Sequence, residues 1–122
     1  MLIKHVAFFA YPVSDIPRAR SFYEGVLGLR LAQNFRDEWL EYDVAGTTFA
    51  LTTMVPDRTP GAHGGFLALE VDDLDSWATH LKAKGTPFLL DLTDTPVCRM
   101  LVVADPDGNG VTLHARKPGS GS

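Results

Sequence analysis

Four side chains hold most of the chemistry this sequence could perform: His5, Glu41, Glu70 and His114. His5, Glu41 and His114 together would supply two imidazoles and one carboxylate, the open facial pattern in which catalytic non-haem metals are held. A divalent ion there (nickel, zinc, manganese or iron) would act as a Lewis acid, with Glu41 or Glu70 moving protons. The other reading is that His5 and His114 are pocket residues satisfied by neighbours and water. Glu70, expected beside aromatic rings, would have a raised pKa and act as acid or base; alternatively it pairs with Arg99. His63, between Gly61 and Gly64, reads as an exposed loop histidine that could swing in as a ligand. His80, beside Thr79 and Lys82, is expected to face water. Cys98 is expected to be a buried, inert thiol on the helix-facing side of its strand. The sequence has no glycine-rich phosphate loop, serine-nucleophile elbow or paired-cysteine zinc motif.

These residues depend on strands to place them. The turn-rich stretch Asp105-Pro106-Asp107-Gly108-Asn109-Gly110 lies between two apolar runs and reads as a β-hairpin. In its second run Val111, Leu113 and Ala115 alternate with Thr112, His114 and Arg116, which suits a strand with one core face and one polar pocket face. The ten residues from Asp43 to Thr52 repeat the design, aligning without a gap with those from Asp105 to His114. If the turn after Asp43 closes a hairpin, Glu41 lies across from Ala50 on the same face. Trp39, Glu41, Arg99 and Leu101 are then expected on the pocket side, and Leu40, Tyr42, Met100 and Val102 on the helix side.

The remaining chain completes a doubled unit. Residues 3–11 read as a strand with His5, Ala7, Phe9 and Tyr11 on one face, ended by Pro12. Asp15 is a suitable N-cap with Pro17 in the first turn, and Ile16, Ala19, Phe22, Tyr23, Val26 and Leu27 form a helical stripe closed by Gly28. Residues 29–34, 38–43 and 47–53 read as strands, and the Pro/Gly-rich stretch 56–65 separates the halves. Residues 66–71 read as a strand with Phe66, Ala68 and Glu70 on the pocket side. A helix capped at Asp72 or Asp73 follows, with Leu74, Trp77, Ala78 and Leu81 inward and Gly85 at its end. A strand over 88–90 leads into the last hairpin. Val13-Ser14-Asp15-Ile16 matches Val71-Asp72-Asp73-Leu74 at the strand-to-helix junction. The fold class expected is α+β: two βαβββ modules, about 2–55 and 64–116, making one domain over 1–116. They would form a curved mixed sheet with a concave pocket and the helices outside. Residues 117–122 read as a disordered tail or linker.

With 122 residues, 45% of them hydrophobic and 21% charged, the composition is that of an ordinary globular domain. A net charge of −4 and a pI near 5.4 give no electrostatic reason to expect nucleic acid or an anionic membrane as partner. No segment reads as a membrane span or a signal-peptide core, and a single cysteine suits a reducing compartment, so a cytoplasmic location is expected.

The motifs Ile3-Lys4-His5, Ser21-Phe22-Tyr23-Glu24-Gly25-Val26-Leu27-Gly28-Leu29, Leu69-Glu70-Val71-Asp72-Asp73 and Asp105-Pro106-Asp107-Gly108-Asn109 resemble the vicinal oxygen chelate superfamily. That group comprises glyoxalases, extradiol dioxygenases, fosfomycin-resistance enzymes and bleomycin-resistance proteins. The resemblance covers about residues 2–116. It implies a metal in the concavity, held by a histidine on the first strand of each half and a glutamate on the last, with a further glutamate in glyoxalase I. The first histidine position is matched by His5; the second falls on Phe66, and the glutamate positions fall on Ala50 and Thr112. Two kinds of function follow. One is a metal-dependent lyase, isomerase or dioxygenase. The other is a metal-free binding protein whose pocket, lined by Phe9, Trp39 and Phe66 with Arg99 and Thr112 nearby, holds a flat small-molecule ligand, Glu41 and Glu70 favouring a cationic one. The resemblance also implies a homodimer.

Overall fold

The computed structural model describes residues 1–54, 59–61, 66–96 and 98–118. The chain divides into two compact units, Met1–Gly61 and Ala62–Ser122. Each is a βαβββ module with a four-stranded mixed sheet and a helical segment, and neither sheet closes on itself. Among the described residues no helix is long and apolar enough to cross a membrane.

In the first unit the strands are β1 (Phe9–Pro12), β2 (Arg30–Phe35), β3 (Trp39–Val44) and β4 (Thr47–Thr52), in the order β1-β4-β3-β2. Only β1 and β4 run parallel. Asp15 caps helix α1 (Ile16–Arg20), its carboxylate accepting the Arg18 amide at 3.0 Å. The helix continues as a π-helical turn, Ser21–Val26, and the chain leaves it through Gly28 at φ +75°. The expected stripe is the core face: Ile16, Ala19, Phe22, Tyr23 and Leu27 are buried with Leu40, Tyr42, Phe49 and Leu51 from the sheet.

Strand β1 is much shorter than the expected 3–11. Residues 1–8 are exposed and have no strand pairing within the unit. Tertiary pairing rather than alternation sets the strand's length, and β4 offers partners only to residues 9–12. Pro12, which lacks an N–H, sits at the end of an edge strand as its chemistry requires.

The second unit has β5 (Leu67–Glu70), helix α2 (Leu74–Ala83), β6 (Phe88–Asp94), β7 (Cys98–Ala104) and β8 (Gly110–Arg116), in the order β5-β8-β7-β6 with β5 and β8 parallel. Asp73 caps α2, accepting from the backbone N and hydroxyl of Ser76 at 3.3 and 2.7 Å. Leu74, Ala78 and Leu81 are buried together with Leu101, Val103, Val111 and Leu113. Strand β6 runs further than the expected 88–90 because two irregularities let it follow β7 to Asp94. At the end of the described chain Lys117 Nζ lies 2.6 Å from Asp94 and donates to the Thr95 carbonyl.

The faces of β7 are the reverse of those expected. Leu101 and Val103 stand beside Leu113 and Val111, and Arg99 on the same side reaches Asp75 of α2 at 2.9 Å. These residues therefore face the helix, and Cys98, Met100 and Val102 face away from it. Cys98 is nonetheless buried, with Thr95 Oγ1 3.2 Å from its sulfur. The cause is turn length. Two residues, Ala45 and Gly46, join β3 to β4, whereas five residues, 105–109, join β7 to β8. An odd number against an even one shifts the register by a residue and turns every side chain over.

Candidate functional site

Each unit offers one candidate surface, the sheet face turned away from its helix. In the first unit this face has Gln33, Phe35, Trp39, Glu41, Ala50 and Thr52, because Gln33, Glu41 and Ala50 are register neighbours and Phe35, Trp39 and Thr52 form a second row. The expected pairing of Glu41 with Ala50 is present. Trp39 Nε1 donates to Glu41 Oε2 at 2.8 Å, fixing the carboxylate against the indole. The Phe8 ring meets Trp39 edge-on, centroids 5.0 Å apart and planes at 86°. Phe8 is 45% exposed, so this aromatic corner is open to a ligand.

Phe9, expected in the pocket, belongs to the other face. It pairs with Phe49, and Tyr11 on the same side packs edge-on to the Phe49 ring at 5.5 Å. His5 is exposed and lies outside β1, so the strand does not aim its imidazole. The register explains both displacements. Ala10 pairs with Ala50 in the first sheet as Ala68 pairs with Thr112 in the second. Stepping back two residues makes Phe8, not His5, the counterpart of Phe66. The match of Val13-Ser14-Asp15-Ile16 to Val71-Asp72-Asp73-Leu74 contains this signal, and it locates Phe8 as the residue that the alternation-based reading missed.

Behind this face, a polar group ties the sheet to the helix. Tyr42, fully buried, donates its hydroxyl to Glu24 Oε2 at 2.8 Å, and Arg20 reaches the same carboxylate through two nitrogens at 2.7 and 3.1 Å. The Arg20 hydrogen bonds hold the Glu24 carboxyl below its ordinary value, and burial pushes the Tyr42 phenol well above its own. This is a structural network.

In the second unit the face turned away from α2 holds Ala68, Glu70, Met100, Val102, Thr112 and His114. Phe66 immediately precedes β5 and is 72% exposed. Thr112 is on the expected side and nearly buried. Glu70 and His114 are register partners, with Glu70 Oε1 2.6 Å from His114 Nδ1 and Glu70 Oε2 accepting the Arg116 amide at 2.8 Å. The expectation of a raised Glu70 pKa is overturned. The Arg116 amide, followed by His114, lowers it, which stabilises the charged form and makes Glu70 a poor proton donor. Nor does Arg99 serve Glu70, because the inverted face of β7 commits it to Asp75 at 2.9 and 3.1 Å. His80, expected to face water, is partly covered and edge-on to Trp77 at 5.7 Å, as neighbours three apart on a helix can be. His63 lies outside the described residues.

The chemistry of the donor set does not suit the metal that the resemblance implies. The equivalent positions carry Phe8, Phe66, Ala50 and Thr112, two of which offer a phenyl ring and one a methyl. Of the substitutes considered, Glu41 is engaged by Trp39 and His114 by Glu70. Among the described residues no group of three or more His, Cys, Asp or Glu side chains is placed to hold an ion.

Two aromatic-bearing sheet faces, one on each half of a doubled βαβββ chain, are the arrangement against which known proteins can be compared. The sequence matches the Glyoxalase/Bleomycin resistance protein/Dioxygenase superfamily over residues 2–113. The chain belongs to that superfamily. It is similar to TnmS3, an antibiotic-binding protein from Streptomyces sp. CB03234, at 32% identity and a TM-score of 0.82, covering 96% of this chain and 99% of that one. A superfamily member from Sphaerobacter thermophilus is 26% identical with a TM-score of 0.81, covering 94% and 99% of the two chains. A lactoylglutathione lyase from Agrobacterium tumefaciens shares the fold, with a TM-score of 0.75 at 19% identity over 93% of this chain and 95% of that one. No curated protein matches the chain.

Proposed function

We propose that this superfamily member binds a flat small molecule and sequesters it without a catalytic metal. The observation that supports this most is the replacement of metal-binding residue types by Phe8, Phe66, Ala50 and Thr112. In the first unit Phe8 on Trp39 forms an aromatic corner in place of donor side chains. A flat, partly apolar compound gains stacking and burial on such a corner, and the Glu41 carboxylate beside it favours a cationic edge. The similarity to an antibiotic-binding protein at 32% identity points the same way. The described residues give the metal-dependent lyase, isomerase or dioxygenase reading no donor group of its own.

The test has two parts. In a Trp77→Phe background Trp39 is the sole tryptophan, and its fluorescence is expected to quench saturably with flat aromatic antibiotics; the further change Trp39→Phe is expected to weaken that binding about tenfold. Purification without chelators is expected to yield protein lacking stoichiometric nickel, zinc, manganese or iron, with thermal stability unmoved by adding them. Stoichiometric metal lost on His5→Ala would restore the enzyme reading. We also propose that the working form is a cytoplasmic homodimer. Met1, Leu2, Ile3 and Val6 are exposed apolar side chains in an unpaired segment, which a second copy would cover; light scattering is expected to give twice the chain mass.

A further inference from the structure

The second unit contains a polar device that stacking alone does not use. Glu70 spends one oxygen on His114 Nδ1 and the other on the Arg116 amide. An ionised carboxylate only accepts hydrogen bonds, so the proton of that short contact belongs to Nδ1. A neutral imidazole carrying its proton on Nδ1 has a bare lone pair on Nε2. The ring is oriented from behind in the way that carboxylates orient functional histidines elsewhere. Its side chain is 20% exposed, so the ring is largely fixed but still reachable. Its surroundings on this face are Met100, its register partner, and Thr112 on the same strand. If the pair served only to pin β5 to β8, the strand end would already be closed by the Val71 amide donating to the His114 carbonyl at 2.9 Å.

We propose that His114 Nε2 is the recognition atom of this face and accepts a hydrogen bond from an acidic O–H of the bound molecule. Glu70 is the positioning residue behind it. The ligand class is then a flat compound with a weakly acidic hydroxyl, phenolic or enolic, its apolar part lying over Phe66, Ala68 and Met100. The inference rests on the small-molecule reading above and adds to it the hydroxyl requirement.

The experiment uses the full-length protein and two flat probes that differ only in the group concerned: 2-naphthol, whose hydroxyl keeps its proton at neutral pH, and its methyl ether, 2-methoxynaphthalene. In the ¹⁵N-labelled wild type, 2-naphthol is expected to bind about tenfold more tightly than the ether and to move the His114 Nε2 resonance. His114→Phe is expected to abolish the preference, the two probes then binding alike. Glu70→Gln, which frees the ring to change tautomer, is expected to reduce the preference about threefold. Equal affinity of the two probes for the wild type, or a preference surviving in His114→Phe, overturns the inference and leaves the binding reading intact. Binding of neither probe sinks both. Should His114→Phe not fold, the wild-type preference and the Nε2 shift decide the matter.

Discussion

The two β-hairpins that close the two units start from nearly the same local sequence plan and end with different faces. Asp43 opens the first turn on an exposed corner, accepting the Gly46 amide at 3.0 Å and lying 3.7 Å from the Arg30 guanidinium. Asp105 opens the second and binds the Asp107 and Asn109 amides at 2.9 and 2.8 Å and the Asn109 side chain at 2.8 Å, with both residues nearly buried. The gapless match between the two segments hides this. It preserves β4 and β8, whose alternation is equivalent, but the strand before each turn is paired one residue out of step. In the first unit Trp39 and Glu41 therefore face away from the helix, while in the second Leu101 and Val103 face toward it. The parity of the turn, two residues against five, decides which chemistry a strand displays.

The strongest way to break this comparison is through the β7 faces. Leu101→Ala is expected to destabilise the protein by about 3 kcal/mol in urea unfolding and Val102→Ala by about 1 kcal/mol. A reversed order would return β7 to the faces first expected from alternation. Next comes the turn itself. Asp105→Ala leaves the Asn109 amide and side chain buried without their acceptor and is expected to cost about 2 kcal/mol, against about 0.5 kcal/mol for Asp43→Ala in its exposed turn. Similar losses would mean that the two turns are energetically alike.

The smallest effect sharpens the contrast between two carboxylates, Glu24 behind one sheet and Glu70 on the open face of the other. Both have folded pKa values below their ordinary ones, so each contributes stability that is complete above the ordinary carboxylate pKa and lost as pH falls through the folded value. Glu24 is the more enclosed of the two. Glu24→Gln is expected to cost about 1 kcal/mol near neutrality and to flatten the loss of stability on acidification. Glu70→Gln is expected to flatten it less.

Much of this architecture was legible in the sequence. The Asp15 and Asp73 caps, the stripe from Ile16 to Leu27, the glycines that end the helices and the alternation of β3, β4 and β8 are local signals, and each acts as its residue types demand. The misplaced residues failed for non-local reasons. Alternation puts Phe9 on the pocket side, and the resemblance puts His5 at a ligand position, along a strand whose extent β4 limits. Analogy with the first hairpin puts Arg99 on the pocket side across a turn whose parity differs. Burial beside rings would raise the Glu70 pKa, whereas a neighbouring strand's amide and imidazole lower it. Pairing between strands distant in sequence has no single-strand signature.

The π-helical turn at the end of the first helix has one further consequence. The Leu27 amide reaches back to the Phe22 carbonyl and the Leu29 amide to the Tyr23 carbonyl, wider spans than the α-helical one. The widened turn seats Phe22 and Tyr23 in the core, with the Tyr23 ring against Phe49 of β4, and carries Glu24 to the Tyr42 hydroxyl. One turn thus docks the helical cover twice on the sheet that presents Trp39 and Glu41, by rings and by a carboxylate.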